Sequence, residues 1–564
     1  MIHVDQVLRQ NLPKVHDNPW LQKPALWLLR GLLHERDIQS FGERYPHVRG
    51  LEFVEQVLDY FQFTYTARDS ELDNIPREGR VVIIANHPIG SLDGLALLKL
   101  ISDVRSDVKV LANDLLQAVE PLNDLLVPVP IFHKRTEREP LKRLYQHLEN
   151  EGALIVFPAG EVSRLRPAGV RDGHWQTGFL RIAQRTQSPL LPIYVKAHNS
   201  AWFYGASMLY KPLATALLVQ EMFRQQAGHL HFRIGELIPW STLRHDPAPL
   251  AERVRRIRKH LYRIGADKPG LLPTQRPIAR AEQRQLLKRE IETCERLGET
   301  ADGKSIYRYR YQGNSAILRE IGRLREFAFR AVGEGTGQRR DLDNFDTWYD
   351  QLILWDVDEL EIAGAYRLVD TNEVIQQRGK EGLYTHTLFD YSDAMQPYFA
   401  EGLELGRSFV QPKYWGMRSL DYLWQGIGAL LQANPQYRYL FGAVTMSATL
   451  PTLAKDALVQ FFGEHFPDPE HLAECRTPYH PTGRPLPPAT TDYAADFAVL
   501  KHTLAHQGAA VPTLYKQYAD LCEPNGVRLL GFNVDEDFAN AIDGLVMVDL
   551  ARLKSQKAKR YLKR

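Results

Sequence analysis

Short apolar runs, each closed by turn-forming residues, alternate with stretches of helical period through the first half of the chain. Val81–Ile84, Val108–Ala112, Val127–Phe132, Ala153–Phe157, Leu190–Val195 and His229–Ile234 read as strands. Gly50–Phe63, Glu139–Asn150 and Gly178–Arg185 read as helices between them, and this alternation predicts an α/β domain. Val81–Ile84 has no polar position at all, as expected of a strand covered on both faces. It runs into Asn86-His87, a Pro-Ile-Gly-Ser turn and Asp93-Gly94, and Leu95–Leu98 then opens a helix. Upstream, residues 19–35 concentrate Trp20, Trp27 and leucines. That helix either packs on the domain core or lies at the level of lipid headgroups.

From Ser305 the period changes. Ser305–Tyr311 alternates as a strand does, and Leu318–Arg330 is a helix. Tyr349–Trp355 and Leu360–Leu368 form an antiparallel hairpin across Asp356-Val-Asp-Glu. Leu403–Val410 is a further strand, followed by a helix over Ser419–Gln432. Between the halves, prolines and glycine in Lys268–Pro277 interrupt both helix and sheet. The reading is therefore a helical segment over 1–60, an α/β domain over 61–270 and a linker over 271–280. A charged helix, Ala281–Leu297, opens a second, mixed α/β domain over 281–552, and a basic tail ends the chain at 553–564.

Composition narrows the class. A chain of 564 residues exceeds what one core supports, so two domains are expected. Basic and acidic residues number 70 and 68, which argues against a nucleic-acid partner. Cys294, Cys475 and Cys522 lie far apart and lack metal-ligand spacing, so neither a metal nor a disulfide framework is expected, in a reducing cytoplasm. No signal-peptide pattern opens the chain, and no apolar run is long enough to span a bilayer. From Arg552 onward there are seven basic residues and no acid, either a solvated end or a surface for an anionic leaflet. The expected location is cytoplasmic, peripheral on the inner membrane.

Candidate chemistry sits at strand ends, where open α/β sheets place their sites. His87 titrates near neutrality, and Asp93 lies across the turn. A carboxylate on one imidazole nitrogen makes the other a general base for a hydroxyl; a histidine that merely caps the turn is the competing reading. The string Asn86-His87…Asp93 resembles the first motif of the glycerolipid acyltransferases, which usually has four residues between His and Asp. Here there are five, Pro88 to Leu92, and Gly90 is the residue able to absorb the extra one. Ile131-Phe-His-Lys-Arg135, Phe157-Pro-Ala-Gly-Glu-Val-Ser163 and Leu191-Pro-Ile-Tyr194 resemble that family's later motifs, in order. The resemblance implies His87 and Asp93 as catalytic residues. It implies substrate binding by Asn86, Gly90, Lys134, Arg135, Gly160, Glu161, Ser163 and Arg164, with Arg166 beside them.

In the second half, Arg325, Phe329, Asp343, Asp346, Arg367, Glu404 and Arg407 read either as solvated charges at strand ends or as one site. Their order resembles the acyl-homoserine-lactone synthase branch of the GNAT-like N-acyltransferases, which use thioesters of acyl carrier protein. The tryptophan that signal synthases carry after the first helix is replaced by Val332-Gly-Glu-Gly-Thr-Gly337. That departure points to the related branch that N-acylates amino acids for membrane lipids. An α-amine is mostly protonated at neutral pH, so the reaction needs a base, for which Glu404 is the candidate; a backbone N–H of a bulged strand would polarise the thioester carbonyl.

The two halves in this order resemble the bifunctional ornithine lipid synthases. That implies N-acylation of ornithine by a 3-hydroxyacyl thioester in the second domain, then O-acylation of lyso-ornithine lipid in the first. The implied partners are acyl carrier protein, ornithine, lyso-ornithine lipid and membrane surface lipids, with no resident cofactor. Three rivals stand beside this reading: the same steps on glutamine, glycine or lysine, a lactone-type signal synthase fused to a lysophospholipid acyltransferase, and a non-catalytic scaffold that binds acyl carrier or lipid.

Overall fold

The computed structural model describes residues 34–90, 92–112, 119–128, 138–167, 169–209, 211–244, 246–300, 302–416, 419–536, 538 and 540–562. The Trp20–Leu33 helix, Lys134, Arg135 and the end of the Val127–Phe132 run lie outside these residues. The chain divides into two compact units, Met1–Pro277 and Ile278–Arg564.

In the first unit a seven-stranded sheet is built from β1 (Thr64–Ala67), β2 (Val81–Ala85), β3 (Val108–Ala112), β4 (Leu126–Pro128), β5 (Ala153–Val156), β6 (Leu190–Lys196) and β7 (His229–Ile234). Its order is β1-β7-β6-β2-β5-β3-β4, with β2 in the middle. Every pairing is parallel except β6 with β7. The wholly apolar β2 is covered on both faces, as parallel strands require. Val81, Ile83 and Ala85 enter one core with Val54, Val57, Leu97 and Ile101, from helices α1 (Gly50–Tyr60) and α2 (Leu92–Ser102). Val82 and Ile84 enter the other with Leu144, Leu148, Phe179, Ile257 and Leu261, from α3 (Arg138–Glu149), α4 (Gly178–Thr186) and α5 (Leu250–Gly265). Because both sides of β2 are filled, polar groups are left to its ends, and Asn86-His87 follow the C-terminal one.

Within the stretch read as a linker, Gln275 exchanges both backbone hydrogen bonds with Leu237, at 2.8 and 3.1 Å. Leu272 is buried beside α5.

The second unit carries an eight-stranded sheet. Its strands are β8 (Glu295–Glu299), β9 (Ser305–Tyr309), β10 (Asp350–Asp356), β11 (Glu361–Asp370), β12 (Gly402–Val410), β13 (Tyr439–Met446), β14 (Val527–Asp535) and β15 (Ala541–Asp549). The order is β8-β9-β10-β11-β12-β13-β15-β14, and β12 with β13 is its one parallel pair. Helices α6 (Ala316–Ala331) and α7 (Ser419–Ala433) pack on the sheet. The helix expected over 281–297 covers only Arg284–Ile291. Beyond it, Glu295–Glu299 pairs with β9 instead, so a sheet edge overrides the helical propensity of its Glu, Arg and Leu. The basic tail is not free either: Ser555–Tyr561 is a helix, α8, packed on α7, and Leu562 is buried.

Candidate active sites

Helix α2 begins directly after the β2 turn, and this places Asp93 under His87. His87 Nδ1 lies 3.1 Å from Asp93 Oδ2. The Asp93 carboxylate is fully buried and accepts the backbone N–H groups of Ile89, Gly90 and Gly94 at 3.0, 3.1 and 3.0 Å. Gly90 accommodates the five-residue spacing at φ +97°, where a Cβ would meet Val162 Cγ2 at 2.5 Å. His87 keeps 19% of its side chain exposed and stacks on Phe157, ring centroids 4.2 Å apart. Its backbone is held as well: Ser163 N–H donates to His87 O at 2.8 Å, and His87 N–H to Asp172 Oδ1 at 3.2 Å.

Burial pushes the His87 imidazole down, but the charge of Asp93 outweighs it, and the group titrates above the ordinary histidine value. Asp93 moves the other way: burial raises it, and His87 with the donated N–H groups brings it below the usual carboxylate range. The Asp93-bound nitrogen fixes the imidazole so that Nε2 is left for chemistry.

The other residues read from the sequence in this unit fall into three places. Asn86 is occupied by β6, donating to Val195 O at 2.9 Å and accepting from Val195 N–H at 2.8 Å. Ser163 donates to the buried Asp172 at 2.5 Å. Gly160 turns the chain at φ +65°, after which the exposed Glu161 pairs with Arg164 at 3.3 Å.

In the second unit the site forms where β12 and β13 part. They pair only over Gly402–Glu404 with Tyr439–Phe441, although β12 runs on to Val410 and β13 to Met446. Gly442 stands at the fork, where a Cβ would meet Leu405 O at 1.8 Å. Past the fork, β12 bulges against β11: Ala365 faces Phe409 and Arg367 faces Gly406, so Arg407 and Ser408 oppose Tyr366 alone. Arg407 takes φ +51° there, the left-handed conformation that re-aims a bulged side chain.

Glu404 is the last paired residue before the fork, and it is buried. Its oxygens accept from Tyr349 OH at 2.8 Å and Thr385 N–H at 2.9 Å. Burial pushes Glu404 up to about 7, against the pull of those donors and of Arg367. Its proton therefore exchanges in the neutral range.

The expected charges form a network around it. Asp343 and Asp346 cap one turn reciprocally, each carboxylate accepting the other's N–H. Arg325 grips both oxygens of Asp346 at 3.0 and 2.8 Å and donates to Asp341 O at 3.0 Å. Arg367 bonds Asp343 at 2.7 Å with Asp346 at 3.3 Å, and lies against the rings of Tyr349 and Tyr384. Arg407 reaches Asp341 at 3.1 Å, and its guanidinium lies over Phe538, which meets Phe329 edge-on at 5.2 Å. Arg325 and Asp346 are thus framework. Glu404 and Arg407 flank the fork.

Comparison with known proteins agrees with this division. Residues 7–267 match the Acyltransferase family, and residues 324–425 the Acetyltransferase (GNAT) domain. A glycine N(alpha)-acyltransferase of Bacteroides thetaiotaomicron is 32% identical over 309 residues, covering 50% of this chain and 89% of that protein. The chain belongs to the aminolipid acyltransferases. In this family it is a two-domain member with an acyltransferase domain followed by a GNAT domain. A lyso-glycine lipid O-acyltransferase of the same organism is 28% identical over 266 residues, 46% of this chain and 96% of that protein. An L-ornithine N(alpha)-acyltransferase of Brucella abortus is 28% identical over 276 residues, 43% of this chain and 90% of that protein.

Several residues that shape the two candidate sites escaped the sequence. Asp172 underlies the His87 backbone from a strand end of its own, and no spacing links it to the Asn-His string. Tyr349 holds Glu404 from the start of the β10 hairpin, where the alternation marks it only as core. Asp543, paired in register with Thr445 and accepting its hydroxyl at 2.7 Å, is pushed up to about 6 by burial. Glu334, in the segment that replaces the signal synthases' tryptophan, is pushed up to about 7 by burial and by Asp543. That replacement was the visible signal for it. Among the described residues no group of His, Cys, Asp and Glu is placed to hold a metal, and no helix is long and apolar enough to cross a membrane.

Proposed function

We propose that the chain makes a two-chain aminolipid in two steps. In the GNAT-type unit, an amino acid's α-amine attacks a 3-hydroxyacyl thioester of acyl carrier protein. The C–N bond forms, the C–S bond breaks, the thiol leaves, and the ammonium proton passes to Glu404 directly or through one water. A backbone N–H of the bulged β12 polarises the thioester carbonyl, and Arg407 and Arg367 hold the acceptor's anionic end. In the first unit, the 3-hydroxyl of that product gives its proton to His87 Nε2 and attacks a second acyl thioester; the ester C–O bond forms, the C–S bond breaks, and the imidazolium returns the proton to the departing thiolate. Asp93 stabilises the imidazolium, and Glu161 and Arg164 position the acceptor.

The observation that carries this reading is one proton acceptor in each unit whose orientation is fixed by hydrogen bonds: His87, whose Nδ1 is held by the buried Asp93 carboxylate, and the buried Glu404, held by Tyr349 OH and Thr385 N–H. The order follows from chemistry, since only the N-acylated product offers the hydroxyl. The two-chain product belongs to a bilayer, so in this reading the protein works at the membrane surface, on the cytoplasmic side.

Ornithine is the acceptor by resemblance of the whole chain. Glycine is the second reading, supported by the higher identity to the glycine relative, 32% against 28% for the ornithine one. Incubating the purified chain with 3-hydroxyacyl-acyl carrier protein and each amino acid, with mass spectrometry of the lipids, decides between them. N-acylation of neither would defeat the reading.

A further inference from the structure

The loop from Pro88 to Gly90 carries the extra residue between His87 and Asp93, yet the imidazole and carboxylate meet at 3.1 Å. Two consecutive peptide groups explain this. The Pro88–Ile89 peptide gives its N–H to Asp93 Oδ2 at 3.0 Å, and the Ile89–Gly90 peptide gives its N–H to Asp93 Oδ1 at 3.1 Å. The opposite ends of the same two peptides are also held. Asn199 Nδ2 donates to Pro88 O and to Ile89 O, both at 3.2 Å. Two carbonyl acceptors leave no choice of amide orientation, since only the nitrogen can donate.

Asn199 is itself fixed. It is 1% exposed, and its backbone N–H donates to Tyr204 OH at 3.0 Å. Next to it, Ser200 gives its N–H and its hydroxyl to the buried Glu221, at 2.8 and 2.7 Å. The arrangement is reciprocal across β2 and β6. Asn86, at the end of β2, binds both backbone groups of Val195, and Asn199, just past β6, reaches back to the β2 turn.

We infer that Asn199 is a positioning residue for the His87–Asp93 pair, clamping the two peptides of the catalytic loop against Asp93 so that the longer loop still aims His87 Nε2. The carboxylate of Asp93 pulls on one end of each peptide dipole and the amide of Asn199 on the other. Without Asn199 the peptides can rotate, the N–H groups leave Asp93, and the carboxylate releases the imidazole. This rests on the O-acylation reading for the first unit.

The test is steady-state kinetics of the full-length chain on lyso-aminolipid and acyl thioester, with N199A, N199S and H87A side by side. For N199A, kcat of O-acylation should fall about tenfold or more while KM for the lyso-lipid stays within about twofold, as expected for misaim rather than lost binding. The acid limb of its kcat/KM profile should move to lower pH, because His87 loses the charge that raises it. N199S keeps one donor and should fall between N199A and wild type. N-acylation by the same preparations should be unchanged, which reports an intact chain. Unchanged kcat with an unmoved acid limb overturns the inference, as does a loss shared equally by both activities in N199A and N199S, the mark of a merely structural residue. If N199A does not accumulate folded, N199S alone decides by the same two readouts. H87A separates the failures: an active H87A refutes the O-acylation reading itself, whereas an inactive H87A beside a normal N199A refutes only the role of Asn199.

Discussion

A histidine against a buried carboxylate titrates with that carboxylate, and the direction sets how the reaction follows pH. Folded His87 is raised above the free imidazole value of about 6.5. The His87–Asp93 pair therefore stabilises fully below that value, and the stabilisation fades as pH rises through the folded one. The base is available only in the upper range, so O-acylation should climb with pH through an apparent pKa above that of free imidazole. H87A should lose O-acylation by about 10²-fold or more and leave mono-acylated aminolipid in extracts; wild-type levels of two-chain lipid would refute the assignment. Glu404 behaves oppositely to an ordinary carboxylate. Raised to about 7, it favours the folded state while protonated and costs stability as pH rises from its unfolded value of about 4.3 through 7. N-acylation should rise through the same upper range. E404Q should abolish both products, and synthetic lyso-lipid should restore the second step; failure of the rescue in folded protein would mean the sites are not separate. The polar residues at strand ends stood out in the sequence because apolar runs leave them conspicuous. Asp172, Asn199 and Tyr349 were not, because each reaches its partner from tens of residues away in the chain and leaves no local pattern.

Elements were legible where periodicity is strong and connections are short. The β10–β11 hairpin, α6 and the wholly apolar β2 follow from their patterns. The parting of β12 and β13 does not, since it depends on pairing between segments with a helix between them. Nor did the helix over Arg284–Ile291 reveal its early end, because Glu295–Glu299 has helix-favouring residues and becomes β8 only through its partner. The fork has one residue that tests it. An alanine at Gly442 places its Cβ 1.8 Å from Leu405 O, a backbone atom that must move. G442A should destabilise by about 1–3 kcal/mol through overpacking and depress N-acylation more than a neutral surface change does. A variant with wild-type melting temperature and full N-acylation would show that close approach of these strands is not required.

At the scale of the whole chain, the tail changes meaning once its partners are known. Seven basic residues without an acid read as a polybasic anchor in sequence, but most of the described ones face acids of the second unit. Lys554 and Lys557 reach Asp520 at 2.8 and 3.0 Å, and Arg560 reaches Asp421 at 2.6 Å. Tyr561 donates to the same Asp421 at 2.8 Å and tilts against Trp424, and Leu562 enters the core behind it. Charge run and charge partners are separated by the length of α7 or more in sequence, so only the fold brings them together. Surface ion pairs contribute at most about 1 kcal/mol each, whereas one buried leucine contributes about 1.5–3 kcal/mol. The apolar end of the tail, rather than its charge, should therefore dominate. Truncation after Leu553 should lower the melting temperature by roughly 5–10 °C, at about 2–4 °C per kcal/mol for a unit of this size. It should leave sedimentation with anionic vesicles largely intact, since these cations are already paired within the protein. An unchanged melting temperature together with lost vesicle binding at low salt would restore the tail to the role of lipid anchor.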